Sequence, residues 1–484
     1  MGKEANSSTY SLPEKSLNTP SAPVENNNSL FSMSEGIYLV TGVKNAAVCD
    51  TNTGNVYSIN ELGKKVLMEE TEDEAFIDNL SSTLEISKPK KPINVEIEKP
   101  VFNLEFVWFE IISDNCNERC LHCYAESMPP TYRRKNLVGK ELPVFESTQK
   151  LQARDWVNLI DQSYELGCKQ CQFIGGEPFL WHGEKGETVL DLAEHTRSIG
   201  FEMVEIFTNA TLVKEKDIQR IKSLGLSIAV SLYSDDEKIH DEITRTLGSY
   251  KKTIKTLQLL RDYGIPTRVE TVLMKQNQNT AESVGQLISE MGFNHRPSDV
   301  LRPRGRGDNP GLFPDPDIFV EYGLMLEPNF SASPDFFKRS IQGHNCLVGK
   351  ITITDNGDVM PCIFARGQIV GNVNKDGSIK NILEGNLRNI WNLTKDNVLV
   401  CQDCEYRYVC FDCRPMSEGA AQGNGNFETA PYPRCTYNPY DGEWGNGVWK
   451  LDEKGKPYYD TSMSEYIFQA RQANISGLKA EGNC

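Results

Sequence analysis

The sequence predicts an α/β protein: a curved, incomplete barrel of six strand–helix units, a small α+β module ahead of it and an irregular region behind it. Three observations carry this expectation. From residue 104 strand-like and helix-like stretches alternate; before that, short strands lead into one helix; after Asn309 the pattern breaks into Pro-, Gly- and Asn-rich sequence. Seven of the fourteen cysteines fall between 346 and 435 in that last region. At 484 residues the chain has room for roughly three domains of about 150 residues each.

Residues 1–35 are rich in Ser, Asn, Pro and Glu and lack periodicity, which reads as a disordered tail. Strand-like runs follow at 37–40, 46–49 and 56–59, separated by turn residues that include Asn52-Thr53-Gly54-Asn55. Asn60 then caps a helix from Glu61 onward. This winged-helix-like module, 36–100, ends in EISKPKKPINVEIEKP, whose three prolines suggest a linker.

The barrel is assigned to 101–315. Its candidate strands are 104–112, 171–175, 203–207, 227–233, 267–274 and 298–302, with amphipathic stretches such as DWVNLIDQSYELG and YKKTIKTLQLLRDYG between them. Several of these end in Gly, as helix C-termini do. The alternation implies parallel strands with right-handed crossovers, and six units are too few to close an eight-stranded barrel. Chemistry in such sheets gathers at the C-terminal edges of the strands. Residues 316–345 bridge to a cysteine-bearing region, 346–440, and 441–484 read as a tail. The sequence after Asn309 is too irregular to bury much core, so metal sites are expected to order it.

Charge and hydropathy exclude two classes of partner. With 51 basic against 67 acidic residues, the net charge of −16 argues against nucleic acid. The opening MGKEANSSTYSLPEKS is polar, and no apolar run approaches the ~18–20 residues of a membrane span. The cytoplasm is the expected location, and in a reducing cytosol cysteines read as metal or redox chemistry rather than disulfides.

The stretch SDNCNERCLHCYAES, 113–127, places Cys116, Cys120 and Cys123 in a polar loop after the first barrel strand. Three thiolates there can hold three irons of a [4Fe–4S] cube and leave the fourth open. The alternative is a zinc site completed by His122. This C-x3-C-x2-C spacing resembles the radical S-adenosylmethionine (SAM) enzymes, and residues 104–307 resemble their partial barrel. The resemblance implies further roles. Gly175-Gly176-Glu177-Pro178, otherwise readable as an ordinary turn, would bind the methionine amino group, with close backbone approach and a carboxylate for the ammonium. His122 would lie beside the adenine. Thr208, Asn209 and Ser231 would contact ribose or carboxylate. Arg245, in HDEITRTLGSY, would reach the carboxylate, although Thr246 replaces the family's usual glycine. Arg302, Arg304 and Arg306 of LRPRGRG read either as the far wall of the site or as a solvated basic turn. The implied reaction is one-electron cleavage of SAM to a 5′-deoxyadenosyl radical that abstracts a substrate hydrogen.

The later cysteines run Cys346, Gly357-x4-Cys362, Cys401-x2-Cys404-x5-Cys410-x2-Cys413, Cys435. In isolation two C-x2-C pairs would suggest zinc. The order resembles the SPASM domain, with C-x2-C at the last pair where that family usually has C-x3-C. The resemblance implies two auxiliary [4Fe–4S] clusters. Cys401, Cys404, Cys410 and Cys435 would hold the distal one, and Cys346, Cys362 and Cys413 the one nearer the active site. No cysteine occurs in 347–359, so the proximal cluster is expected to have three cysteine ligands. Asp403, Asp412, Tyr406 and Arg407, interspersed among them, read as supports rather than catalysts. Cys49, Cys168 and Cys171 read as small buried hydrophobes, and Cys484 ends the tail.

The first module resembles the peptide-recognition domains of ribosomal-peptide modification systems, which add a leader peptide as a strand at a sheet edge. The alternative is a module that merely packs on the barrel. Together the resemblances imply a maturase acting on a ribosomally synthesised precursor peptide, with flavodoxin or ferredoxin as electron donor. Its product would be a thioether, a C–C or C–O side-chain cross-link, or an epimerised residue. Two readings compete: sulfatase-maturase-like oxidation of a Cys or Ser on a protein, and a non-catalytic, zinc-stabilised peptide-binding protein.

Overall fold

The structure, a computed structural model, describes residues 29–85, 92–97, 100–135, 150–294, 298–321 and 330–469. Most of the expected N-terminal tail, residues 86–91 of the linker and Cys484 lie outside them.

The first module begins earlier than its sequence suggests. Strand β1 (Leu30–Ser34) lies inside the expected tail and pairs antiparallel with β2 (Ile37–Thr41). The meander continues through β3 (Ala46–Asp50) and β4 (Asn55–Ile59). The short β5 (Ile93–Asn94), in the expected linker, adds to the other edge of β1, giving the order β4-β3-β2-β1-β5. Ser and Asn around β1, and prolines around β5, hide two short strands whose pairing comes from their neighbours. Two helices follow β4: α1 (Glu61–Leu67), capped by Asn60 accepting from the Gly63 amide, and α2 (Glu74–Thr83), capped by Asp73. One sheet face packs Leu39, Val48 and Ile59 against Leu67 and Leu80. The other packs Leu30, Val40, Ala47 and Cys49 against Phe337, Tyr406, Tyr408 and Tyr437. Every residue of β3 is therefore buried.

The barrel sheet runs β6 (Phe106–Ile112), β7 (Gln170–Gly175), β8 (Met203–Thr208), β9 (Ser227–Ser231) and β10 (Thr267–Glu270), all parallel. Helices α3 (Pro130–Lys135), α4 (Ala153–Glu165), α5 (Val189–Ser198), α6 (Glu215–Leu224), α7 (Glu237–Thr244), α8 (Ser249–Asp262) and α9 (Ala281–Glu290) lie between and after these strands. Gly225 ends α6 in the left-handed conformation, as the Gly-terminated pattern predicts. Cys168 and Cys171 are fully buried in this core.

Two expectations need correcting here. The predicted sixth strand does not join the main sheet: β12 (Asp299–Val300) pairs only with β11 (Val272–Leu273), beyond a break at Thr271. The sixth parallel strand is instead β13 (Lys350–Thr354), beside β6, followed by the antiparallel β14 (Asp358–Met360) and β15 (Gly371–Asn372). The region after Asn309 thus does bury core. Ile351, Ile353, Val359, Ile379, Leu387 and Trp391 belong to the same cluster as the barrel strands. KITIT is too short to stand out among Pro- and Gly-rich neighbours, yet its apolar residues fit the open edge of β6. Residues 441–469, read as a tail, are also folded. They complete β16 (Tyr437–Asn438) with β17 (Glu443–Trp444) and form β18 (Val448–Leu451) with β19 (Pro457–Asp460). No helix among the described residues is long and apolar enough to cross a membrane.

Candidate active site and cysteine cages

A cavity of about 180 Å3 opens at the C-terminal ends of the barrel strands. Cys116, Cys120, His122 and Cys123 line it from the loop after β6, Gly175 and Gly176 from the end of β7, Thr208 and Asn209 from β8, and Ser231 from β9. The cysteine loop is held by backbone bonds: the Arg119 and Leu121 amides donate to the Thr244 and Ile243 carbonyls at 3.1 and 2.9 Å. Arg306 clamps it from the other side, donating from Nε to Cys120 O at 2.9 Å and from Nη2 to Ser127 O at 2.8 Å. The three thiols lie close enough to bear on one another electrostatically, and burial raises those of Cys116 and Cys120 above the usual thiol range. Ionising them is favourable only when a metal compensates, so this donor set suits an iron–sulfur group.

Why two glycines end β7 is a matter of space. Gly175 sits at φ +151°, and a Cβ there would meet Ile112 O at 2.1 Å. A Cβ on Gly176 would lie 1.9 Å from Asn115 O. The strand end therefore runs against the cysteine loop itself. Glu177 takes a different place from the one its motif implies. Its carboxylate is fully buried and already accepts from Thr208 Oγ1 at 2.8 Å, the Asn209 amide at 2.9 Å and the Phe179 amide at 3.1 Å. It ties β7 to β8 rather than lining the cavity, and burial pushes its pKa up to about 7. Pro178 is buried in the turn that follows. Asn209 also reaches the loop, donating from Nδ2 toward Cys116 Sγ at 3.8 Å and to Asn117 Oδ1 at 3.0 Å.

His122 faces the edge of Tyr233, ring centroids 4.7 Å apart, and its Nδ1 is buried with no protein partner. Burial lowers its pKa to about 4, so the ring is neutral and can lie against a nucleobase. Arg245 does not reach the cavity. It caps α7 at φ +52° and is exposed on the outer face, in a groove with Asp235 and Glu242.

The arginines of 301–307 separate. Arg302 and Arg306 line the cavity, while Arg304 pairs with Glu418. Sequence reasoning missed several participants because nothing in their local pattern marks them. Phe364 enters from the region behind the barrel, its ring edge-on to Tyr124 at 5.0 Å and beneath the Arg302 guanidinium at 4.3 Å. Behind Tyr124, Arg366 makes two bonds to the fully buried Glu110, at 2.5 and 2.6 Å. Glu118 accepts from Ser249 and, at 3.6 Å, from Cys120 Sγ.

The remaining cysteines gather in two groups. Cys346, Cys362 and Cys413 come together beside Arg302, which bonds to Cys413 and so stands between them and the cavity. Cys401, Cys404, Cys410 and Cys435 line a separate small cavity of about 30 Å3, together with Lys395 and Arg407. Burial raises all four of the Cys362, Cys401, Cys404 and Cys435 thiols, those of Cys362 and Cys435 to about 12. As at the barrel loop, donor sets of buried thiols suit metal–sulfur groups.

Comparison with known proteins agrees with this arrangement. Residues 111–288 match the radical SAM superfamily and residues 346–413 an iron–sulfur cluster-binding domain, SPASM. The antilisterial bacteriocin subtilosin biosynthesis protein AlbA of Bacillus subtilis (strain 168) is 26% identical over 276 residues, 55% of this chain and 56% of that protein. The chain thus spans just over half of AlbA. An AdoMet-dependent heme synthase of Nitratidesulfovibrio vulgaris is 24% identical over 68% of this chain and 91% of its own. Among solved structures, native anSMEcpe with bound AdoMet shares the fold at a TM-score of 0.50 and 15% identity, covering 78% of this chain and 99% of that one. The barrel, the domain behind it and these matches agree on SAM and [4Fe–4S] clusters as cofactors. The chain carries a radical SAM superfamily domain over residues 111–288 of its partial barrel and a SPASM domain downstream of it, over residues 346–413.

Proposed function

We propose that this enzyme matures a ribosomally synthesised precursor peptide. The observation that carries the reading is the five-stranded antiparallel sheet of residues 30–94, fused to the domain behind the barrel, with β4 at one edge of its strand order. A sheet edge binds an extended peptide through main-chain hydrogen bonds. The similarity to AlbA, a protein named for bacteriocin biosynthesis, supports the same reading.

In this proposal Cys116, Cys120 and Cys123 hold the cluster that binds SAM. Cys346, Cys362 and Cys413 hold the proximal auxiliary cluster, and Cys401, Cys404, Cys410 and Cys435 the distal one. When bound, the first cluster and SAM supply a 5′-deoxyadenosyl radical that abstracts a substrate hydrogen. The chain supplies the rest. Gly175 and Gly176 let the end of β7 pack directly on the cysteine loop and line the cavity there, and Glu177 ties that strand end to β8. The neutral His122 ring and Tyr233 form an apolar shelf, while Thr208, Asn209 and Ser231 offer hydroxyl and amide partners. Phe364, Ile363 and Arg302 close the far side against water. Flavodoxin or ferredoxin would deliver the electron in the cytoplasm.

The bond formed — thioether, C–C, C–O or epimerised centre — is read by mass spectrometry after anaerobic reaction with the precursor peptide. Reconstituted enzyme is expected to carry about twelve irons in three cubes and to split SAM on reduction. Cys120→Ala should lose SAM cleavage and keep the auxiliary irons. Zinc in place of iron, or cleavage surviving the substitution, would sink the reading. Oxidation of a Cys or Ser in an unrelated protein peptide, with the precursor untouched, would favour the sulfatase-type alternative.

A further inference from the structure

We propose that Lys395 and Arg407 are the charge partners of the group held by the four distal cysteines, and that Lys395 raises its reduction potential. The inference rests on reading Cys401, Cys404, Cys410 and Cys435 as cluster ligands. Both cations line the same cavity as those thiols. Each is buried, Lys395 to 7% and Arg407 to 2% exposure. A buried lysine is rare unless a partner meets its charge. The Lys395 ammonium donates to the Phe411 carbonyl at 2.8 Å and lies against the Cys410 thiol.

The carboxylates nearby are each engaged through at least one oxygen by another group. Asp412 gives Oδ1 to Arg414 at 2.7 Å and faces His344 with Oδ2 at 3.4 Å. Asp396 bonds to Arg407 Nε at 2.9 Å, so the guanidinium has an acid of its own. Glu405 is bonded by Tyr437. Among the described residues no acid lies within ion-pair distance of Lys395; the Cys410 and Cys401 thiols bear on it most, ahead of Asp412.

A cube held by four thiolates carries a net charge of about −2, and one more negative charge after reduction. Charge and hydrogen bonding around the sulfurs set the potential of such groups. A fixed cation a few ångströms away, out of water, stabilises the more negative, reduced form. The cation beside the proximal cysteines is placed differently. Arg302 shares its charge between Asp299, at 2.5 Å, and the proximal Cys413. The four-thiol cage thus has in its wall a lysine with no carboxylate at ion-pair distance among the described residues.

The test is a potentiometric titration of the full-length reconstituted enzyme followed by electron paramagnetic resonance, with C401A identifying the distal signal. Lys395→Met keeps the length and removes the charge; Lys395→Arg keeps the charge. At a fixed potential, K395M should lower the ratio of reduced to oxidised distal cluster at least tenfold, 59 mV for a one-electron couple, with K395R staying near the native value. An unmoved midpoint in K395M overturns the proposal. If C401A removes no signal, the four cysteines hold no cluster and the proposal falls for that separate reason. If K395M binds no distal iron, K395R decides. Iron retained at a near-native potential supports a charge role, and iron lost there too shows that only packing was at stake.

Discussion

Cys116, Cys120 and Cys123 stand on a loop pinned by backbone bonds to α7, by Arg306 and by the ends of β7 and β8, over a continuous apolar core. Cys401, Cys404, Cys410 and Cys435 line a cavity walled by short turns, by Tyr437 and Trp449 of the C-terminal hairpins, and by Arg407. Arg407 reaches out of the domain altogether, donating to Thr41 O at 3.0 Å as well as to Cys404 O at 2.6 Å. Val400, just before the first of these cysteines, sits at φ +68°, a strained conformation for a β-branched residue. The first site is shaped by the fold and then receives its metal. The second is shaped in part by what it binds, and the N-terminal sheet leans on it.

The largest effect should therefore come from emptying the distal cage. Replacing Cys401 and Cys404 by Ala is expected to remove about four irons and to open residues 400–445 and the N-terminal sheet to limited proteolysis. Replacing all three barrel cysteines should remove a similar number and leave the protease pattern unchanged. Equal protease sensitivity in the two variants would break the comparison.

A middle effect tests the joint between the regions. Arg366→Met strands the buried Glu110 carboxylate inside β6 and should cost about 3–5 kcal/mol in urea unfolding. A loss below 1 kcal/mol would mean that Glu110 finds another partner or protonates freely.

The next effect is confined to the barrel. Glu177→Gln cannot accept from both the Thr208 hydroxyl and the Asn209 amide as the carboxylate does, and should cost about 2 kcal/mol. Burial raises the Glu177 pKa from its ordinary 4.5 to about 7. The stability that its proton contributes is thus complete below pH 4.5 and is lost as pH rises through 7. Unfolding measured across that window should slope downward in the native protein and lose that component in E177Q. The smallest effect lies in the N-terminal contact. Tyr406→Phe removes the bond to Ser58 and should cost about 1 kcal/mol, seen first as faster hydrogen exchange in β4.

The barrel was legible because its strands and helices announce themselves through periodicity, and the cysteine loop because three thiols in eight residues allow little else. The grouping of the later cysteines came through resemblance, since spacing alone does not tell which thiols converge. What escaped the sequence was long-range. β13 is five residues whose meaning depends on the unfilled edge of β6, some 240 residues earlier. Phe364 and Lys395 acquire roles only from distant segments that fold around them. Nor does a motif say which donors meet the Glu177 oxygens, or that the end of α7 carries Arg245 to the outer face.

The pairing of β6 with β13 also bears on how the chain emerges during synthesis. Until residue 354, about three-quarters of the way along, the first barrel strand presents a bare row of amides and carbonyls to anything nearby. A nascent chain paused before that point would be a sticky half-product, prone to pair with its neighbours. Shortened versions ending after the barrel should accordingly be recovered as aggregates rather than as a minimal catalytic core.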